Sequence, residues 1–325
     1  VSKIFNNLGN YYLSTGEYDK SLDYFQKSLK ITQSVGNRSQ LSTTFNNLSV
    51  LYERKSDYET ALKYQQQSLS IVQELGLKGD IGISLNNLGM LYLKMEEREK
   101  ALGSFNQAME IAQTLKQEPL VIMILNNYSQ VYESWGQYDK ALAYLQESLE
   151  RAKKIGDPSV AMMTNNLGQI YLNWGQYDKA FSYFEEALTF TQQQGIKGEE
   201  ATVLNNLGFC FLLTKQFPQA LSYFQDSLKL QEHLGQQAEI AMVHNNFNVL
   251  YSSTKQYDKA IDHLLKAHEI YQKLGSKTGT AITLNGMGML YYQYLSDIPK
   301  SMEYLTRSLK LFQELKDKKN TALAL

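Results

Sequence analysis

The chain is poor in cysteine, in proline and in long apolar runs. The shortage of cysteine excludes an internal disulfide framework, and the shortage of apolar runs excludes a membrane-spanning helix. Cys210 is the single cysteine among 325 residues, so an internal disulfide cannot form, and a reducing compartment such as the cytoplasm is the expected location. No apolar stretch approaches the roughly 20 residues that a membrane-spanning helix needs. The four prolines interrupt little, and Pro119, Pro158 and Pro218 fall where a first helical turn tolerates them.

The chain also lacks an excess of charge of either sign, because its 32 basic and 33 acidic residues give a formal net charge of −1. Such a chain has no general positive field for phosphates, so we expect neither nucleic acid nor an anionic membrane surface as its main partner. A hydrophobic content of 43% is ordinary for a folded protein and too high for a disordered one.

Residues with catalytic or metal-binding chemistry are scarce and scattered. The four histidines show no metal-ligand spacing and are expected to be lone surface residues. Cys210 lies in the apolar stretch GFCFLL, which favours a buried, inert thiol over a nucleophile. No glycine-rich phosphate loop occurs. We therefore expect no enzyme, no catalytic residue, no metal and no cofactor within these residues.

Pairs of asparagines recur at nearly constant intervals. The pairs begin at Asn6, Asn46, Asn86, Asn126, Asn165, Asn205 and Asn245, and Asn285 followed by Gly286 is a degenerate eighth copy. Successive copies lie 40 residues apart, except for one interval of 39. A second motif keeps the same period, as in DKAL at 139–142 and DKAF at 178–181. Two motifs with one period indicate eight copies of one unit, each burying its apolar face by stacking on its neighbours.

Each unit contains two segments with helical apolar spacing, such as Leu8 and Tyr12 in the first and Leu22, Phe25 and Leu29 in the second. Short turns separate the segments, such as those at 14–20 and 173–179, where glycine supplies the unusual backbone angles. Small residues recur where two helices must approach closely, which in the first segment are Gly9, Ser49, Gly89, Ser129, Gly168, Gly208 and Gly288. The sequence therefore predicts paired amphipathic helices in close contact.

The order Leu-Gly-x-x-Tyr, Gly-x-Tyr, Ala, aromatic and Ala/Ser-Leu resembles the tetratricopeptide repeat (TPR), and NNLGQIYLNWGQYDKAFSYFEEAL at 165–188 carries nearly the whole pattern. The resemblance covers essentially all of 1–325 and implies an all-α fold, a right-handed superhelix (α-solenoid) of eight helix-turn-helix repeats. The period exceeds the usual length of about 34 residues. In this the chain is similar to Pins/LGN adaptors, kinesin light chains and Rap-type peptide receptors, among which the asparagine motif does not discriminate.

We expect a single array over 1–325. Its repeats are predicted at about 1–37, 38–77, 78–117, 118–156, 157–196, 197–236, 237–276 and 277–317, followed by the start of a further helix at 318–325. The chain begins at Val1, and TALAL at 321–325 matches TAITL at 280–284, which leads into an asparagine position. We therefore expect a fragment of a longer protein.

The second asparagine of each pair lies one position before a core-facing residue, so it is rotated about 100° away from the core. In TPR folds this stripe lines the concave surface, and the resemblance implies a ladder there of Asn7, Asn47, Asn87, Asn127, Asn166, Asn206 and Asn246. A primary amide both donates and accepts, so such a ladder could hold an extended peptide backbone. Alternatively, the asparagines bridge neighbouring first helices without any ligand, and both roles can hold together.

Apolar residues flank the ladder one helical turn away on either side. The predicted binding residues among them are Met90, Met123, Met162, Phe209 and Met242. Methionine adapts to varied apolar partners, so the expected ligand is a protein or peptide with spaced hydrophobic side chains, or a segment of the same protein. Ordinary packing between helices is the alternative. Two functions stay open: a scaffold or adaptor that captures a linear segment, and a peptide-sensing domain that controls an effector outside this fragment.

Overall fold

The computed structural model describes residues 1–315, which form sixteen α-helices and no strand. The first helices of the repeats are α1 (Ser2–Ser14), α3 (Arg38–Arg54), α5 (Lys78–Lys94), α7 (Glu118–Ser134), α9 (Val160–Asn173), α11 (Lys197–Leu213), α13 (Gln237–Ser253) and α15 (Lys277–Gln293). The second helices are α2 (Tyr18–Val35), α4 (Tyr58–Glu74), α6 (Arg98–Thr114), α8 (Tyr138–Ile155), α10 (Tyr177–Gln194), α12 (Phe217–Leu234), α14 (Tyr257–Lys273) and α16 (Ile298–Glu314). The all-α solenoid of eight helix pairs is confirmed, and the helix expected at 318–325 lies outside the described residues.

The chain divides into two compact units. Unit 1 contains Val1–Leu13, Asp19–Glu53 and Asp57–Glu199, and unit 2 contains Ser14–Tyr18, Arg54–Ser56 and the described residues from Glu200 onward. From α5 to α10 in unit 1 the helices of a pair pack together, as α5 does on α6, and the second helices α4, α6 and α8 each pack on the first helix that follows. The same order holds for α13 to α16 in unit 2. Each helix thus buries its apolar stripe against its sequence neighbours.

Close contact within a pair depends on a glycine beneath a phenylalanine. A Cβ atom added to Gly89 would lie 2.5 Å from the ring of Phe105, and one added to Gly168 would lie 2.6 Å from the ring of Phe184. Both rings are fully buried. The predicted role of the small residues is therefore correct, because any larger side chain would collide with the second helix.

A second contact within each pair is a stacked pair of aromatic rings. Tyr132 of α7 stacks on Tyr144 of α8 with 5.3 Å between ring centroids, and Tyr171 of α9 stacks on Tyr183 of α10 at 5.4 Å. Tyr183 directly precedes the buried Phe184 on α10, and Tyr171 follows Gly168 by three residues, about one helical turn, on α9. The recurrent tyrosine of the first helix thus packs against the second helix, in agreement with the sequence-based prediction.

The turns within repeats use the left-handed backbone conformation. Gly136 adopts it with φ of 70°, and Lys215 occupies the corresponding position in repeat 6 with φ of 61°, where a side chain is strained. Pro119 and Pro218 lie in first helical turns as expected, whereas Pro158 lies in the turn before α9 and not inside the helix. None of the helices in residues 1–315 is long and apolar enough to cross a bilayer.

Candidate functional site

The paired asparagines of unit 1 bridge neighbouring first helices. In each bridge the second asparagine of one repeat donates Nδ2–H to Oδ1 of the first asparagine in the preceding repeat. The bridges join Asn87 to Asn46 at 2.9 Å, Asn127 to Asn86 at 2.7 Å and Asn166 to Asn126 at 3.0 Å. The sequence predicted a row of amides, and the structure adds that the first asparagine of each pair is the acceptor.

The exposure of the second asparagine of each pair differs from repeat to repeat. Asn87 and Asn166 are half-buried, whereas Asn127 is only 4% exposed. Asn7, at the same position in repeat 1, is exposed, and Asn47 in repeat 2 is half-buried. Asn86 also donates Nδ2–H to the sulfur of Met123 at 3.3 Å. Among the donors of the three bridges in unit 1, Asn87 and Asn166 are therefore more exposed than Asn127.

Unit 2 contains an asparagine bridge between α11 and α13 but lacks the corresponding bridge between α13 and α15. Asn246 donates to Oδ1 of Asn205 at 2.8 Å, and Asn206 is half-buried. The next bridge would need an amide at position 286, where the chain has Gly286. Oδ1 of Asn245 is accordingly buried without a hydrogen-bond partner within the described residues.

Exposed apolar side chains lie one turn before the bridges in unit 1. Ile83, Met123 and Met162 are 46%, 48% and 39% exposed, and they occupy the same position in α5, α7 and α9. We call the side of α5, α7 and α9 that carries these residues and the asparagine bridges the first-helix face. Since large apolar side chains are usually buried, their alignment marks this face as unusual for a solvated surface.

Met90 and Phe209, which lie one turn after the row of asparagines, are less accessible than the residues before it. Met90 is half-buried and packs against the core around Phe105, and Phe209 is half-buried against the core around Phe224. In unit 2, Met242 is 49% exposed and corresponds to Met123 and Met162. The packing alternative therefore describes Met90 and Phe209 better than it describes the exposed methionines.

A cavity of about 270 Å³ lies between α13 and α15 in unit 2. Its wall includes Val249, Gly286, Met289 and Tyr294 together with polar side chains such as Asn248. Gly286 contributes no side chain there, so the position that breaks the row of amides also borders the cavity. The absence of a second asparagine at this position is the sequence signal that marks the place.

The C-terminal end of the first-helix face carries a carboxylate in a polar network. Oε1 of Glu133 accepts a hydrogen bond from Nδ2 of Asn173 at 2.6 Å, and Oδ1 of Asn173 accepts one from Nε2 of Gln169 at 3.0 Å. Burial raises the pKa of Glu133 above its ordinary value, and the hydrogen bond from Asn173 opposes that rise. Helical spacing alone does not indicate these partners, because the hydrogen bond between Glu133 and Asn173 joins two different helices.

The expectation of lone surface histidines is correct for His233 and wrong for the others. His244 is 7% exposed, and its Nδ1 lies 2.9 Å from Nδ1 of His263. The pKa of His244 is lowered to about 4, mainly by burial and further by the nearby His263. His268 is half-buried, with Nδ1 2.9 Å from the hydroxyl of Thr283. Single-helix spacing could not reveal these contacts, because they join different helices.

Neither the single cysteine nor a cluster of metal-binding side chains forms a candidate site in the described residues. Cys210 is buried, as the sequence predicted. Within residues 1–315 no three histidine, cysteine, aspartate or glutamate side chains lie close enough together to hold a metal ion. The features with accessible polar and apolar groups are therefore the first-helix face and the cavity beside Gly286.

A family model described as tetratricopeptide repeat matches residues 1–74, 80–154, 159–233 and 239–314. The chain is a tetratricopeptide repeat protein. No curated protein sequence matches this TPR protein significantly.

Several solved structures share the fold of this TPR protein. BtubC (BKLC) from P. vanneervenii has a TM-score of 0.56 and 25% identity over 67% of this chain and 92% of its own. The Rap conjugation gene regulator of the plasmid pLS20, in complex with the Phr* peptide, has a TM-score of 0.68 and 13% identity over 97% and 96% of the two chains. The quorum sensor NprR from B. thuringiensis, in its apo form, has values of 0.64 and 16% over 95% and 88%. At identities below 25% the likeness shows the fold alone.

Proposed function

We propose that this TPR array is a protein-interaction scaffold whose first-helix face binds an extended peptide segment of a partner. The observation that carries the proposal is the row of exposed Ile83, Met123 and Met162 beside a row of oriented amides. An extended segment of the polyproline II type can satisfy both rows at once, because its backbone offers hydrogen-bond donors and acceptors while every third side chain returns to the same face. Location in the cytoplasm remains a prediction.

The bridges between asparagines leave hydrogen-bonding capacity for a ligand. Each bridge uses one of the two N–H bonds on Nδ2, as in Asn87 and Asn166, and Oδ1 of these residues accepts no hydrogen bond within the structure. Holding the amide against the preceding repeat also fixes its orientation before a ligand arrives, which reduces the entropy lost on binding. The structural role of the asparagines thus supports a role in binding.

The distance between the exposed apolar side chains sets the spacing of the apolar residues expected in the ligand. Neighbouring packed helices lie roughly 10 Å apart, and an extended peptide of the polyproline II type advances about 3.1 Å per residue and returns every third side chain to the same face. Successive contacts with Ile83, Met123 and Met162 therefore correspond to apolar ligand residues about three positions apart. Flexible methionine side chains accept different apolar shapes, so the spacing should matter more than the identity of each residue.

A peptide-sensing role is the second candidate. It is favoured by the fold shared with the Rap regulator in complex with the Phr* peptide and with the quorum sensor NprR. In a sensor, the bound peptide would change the packing between repeats and thereby act on an effector. Small-angle scattering with and without bound peptide separates the two roles, because a scaffold keeps its radius of gyration whereas a sensor changes it.

The test of the proposal is selection from a library of random decapeptides by wild type and by the double variant Ile83→Glu with Met162→Glu. Neither side chain takes part in an asparagine bridge, so the fold should remain intact. Ile155→Glu is the matched control, since Ile155 is 47% exposed but ends the second helix α8.

We expect wild type and the control to enrich peptides with apolar residues three positions apart, and the double variant to enrich none. Equal enrichment by all three proteins would show that peptides bind elsewhere. No enrichment by the wild type would refute peptide binding itself.

A further inference from the structure

Glu133 occupies a position that four of the eight repeats fill with leucine. It follows the first asparagine of its pair by seven residues, and the corresponding residues are Leu13, Leu93, Leu172 and Leu212 in four repeats and Glu53, Ser252 and Tyr292 in the other three. Leu172 and Leu212 are buried. A half-buried carboxylate at this position has a desolvation cost that leucine avoids, so packing between repeats does not explain its presence.

The carboxylate is held in place but is not neutralised. Asn173 and Gln169 form a chain of hydrogen bonds that ends on Oε1 of Glu133, while Oε2 accepts none. Arg98, at the start of α6, donates its Nε–H to Oγ of Ser134 at 2.9 Å and forms no ion pair with Glu133. Lys94, the last residue of α5, is exposed and also forms none. Within residues 1–315 Glu133 therefore has no cationic partner.

The surroundings add to the negative potential at this point. Glu133 lies in the last turn of α7, where the helix dipole has its negative end and disfavours an anion. No basic side chain contributes to its pKa, which burial raises. A fixed, unpaired carboxylate at a helix C-terminus is an arrangement suited to a positive group from outside.

We propose that Glu133 binds the cationic side chain of a lysine or arginine in the peptide segment that the first-helix face takes. The inference rests on the proposed function and gives the bound segment a fixed register. Glu133 follows Asn127 by six residues, about 9 Å along the axis of α7. A ligand backbone at the row of asparagines therefore needs one long side chain to reach the carboxylate, and lysine and arginine have that length.

The test uses the same library of random decapeptides, flanked on both sides by glycine and serine so that the terminal ammonium lies far from the selected residues. Wild type, Glu133→Gln and Glu133→Lys are compared. Glutamine keeps the shape and the acceptor for Asn173 but removes the charge. Glu147→Gln is the matched control, because Glu147 pairs with Arg151 on the second helix α8 and loses the same charge away from the face.

Wild type and Glu147→Gln should enrich peptides with lysine or arginine at one fixed position relative to the apolar residues. Glu133→Gln should still bind peptides without that preference, and Glu133→Lys should prefer aspartate or glutamate there. A fluorescent synthetic peptide of the best sequence should bind Glu133→Gln roughly tenfold to a hundredfold more weakly than wild type. Replacing its basic residue by norleucine should remove this difference.

Two outcomes would overturn the inference in distinguishable ways. If Glu133→Gln enriches the same basic residue as wild type, Glu133 is not the site, while peptide binding by the face stands. If wild type enriches no peptide, both the proposed function and this inference fail. Circular dichroism of each variant checks that the helices are intact.

Discussion

Replacing Asn127 by alanine tests whether the asparagine bridges stabilise the array. Asn127 donates to Oδ1 of Asn86 at 2.7 Å, and the two residues are only 4% and 2% exposed. The variant removes the donor and leaves a buried oxygen without a partner. An unsatisfied buried polar group costs about 1 to 3 kcal/mol, and the lost side-chain volume adds to that cost. We expect Asn127→Ala to lower the free energy of unfolding by about 2 to 3 kcal/mol.

The assay is urea unfolding followed by circular dichroism at 222 nm. Asn7→Ala is the matched control, because Asn7 has the same position in repeat 1 but is exposed and forms no bridge. We expect it to change the free energy by less than about 0.5 kcal/mol. The double variant of Asn86→Leu with Asn127→Ala should lose less than the sum of the single variants, since the two amides are direct partners. Equal effects of Asn127→Ala and Asn7→Ala would refute a structural role for the bridge.

Three further predictions concern other parts of the fold. Gly168→Ala should lower the free energy of unfolding by about 2 kcal/mol in urea, because its Cβ would lie 2.6 Å from the ring of Phe184. Lys215→Gly should raise it by roughly 0.5 to 1 kcal/mol in the same assay, because φ of 61° suits glycine. Stability measured against pH should fall as pH decreases from 6.5 to about 4, because the lowered pKa of His244 makes the unfolded chain bind more protons in that range. The full loss below pH 4 should be about 3 kcal/mol, since one pKa unit corresponds to about 1.4 kcal/mol.

Each of these predictions has a matched control. Gly103→Ala, in open space within α6, should stabilise by about 0.5 to 1 kcal/mol, and destabilisation there would show that crowding is not the cause at Gly168. Lys215→Ala should give no gain, because alanine has the same strain as lysine. The double variant of His244→Leu with His263→Tyr introduces residues that other repeats carry at these positions, as in Leu284. It should lose the pH dependence, and an unchanged profile would assign that dependence to other groups.

The repeat architecture could be predicted from the sequence because each copy repeats the same local rules. The spacing of the asparagine pairs, and small residues such as Gly89 and Gly168, indicate helix pairs without any knowledge of tertiary contacts. Where a rule depends on one or two neighbouring helices, as with glycine beneath phenylalanine, the prediction is correct. The described structure adds bounds to these helices and changes none of their order.

The partners within the site could not be predicted in the same way. A helical stripe places Asn127 on a face, but its bond to Asn86 depends on how two first helices are offset. The histidine pair leaves a signal in the sequence, since alignment of the repeats puts His244 in a column that also holds Leu204 and Leu284. Glu133 likewise differs from the four leucines of its column, as Glu53 does. Departures from the repeat consensus therefore mark positions whose contacts a single helical stripe does not predict.

The central claim is that the first-helix face binds peptide, and the most direct measurement is NMR of the protein with ¹³C-labelled methionine methyl groups during titration with a selected peptide. The account predicts that the signals of Met123 and Met162 shift, while that of Met302, which is 60% exposed on the second helix α16, does not. Binding that shifts Met302 and leaves Met123 and Met162 unchanged would contradict it.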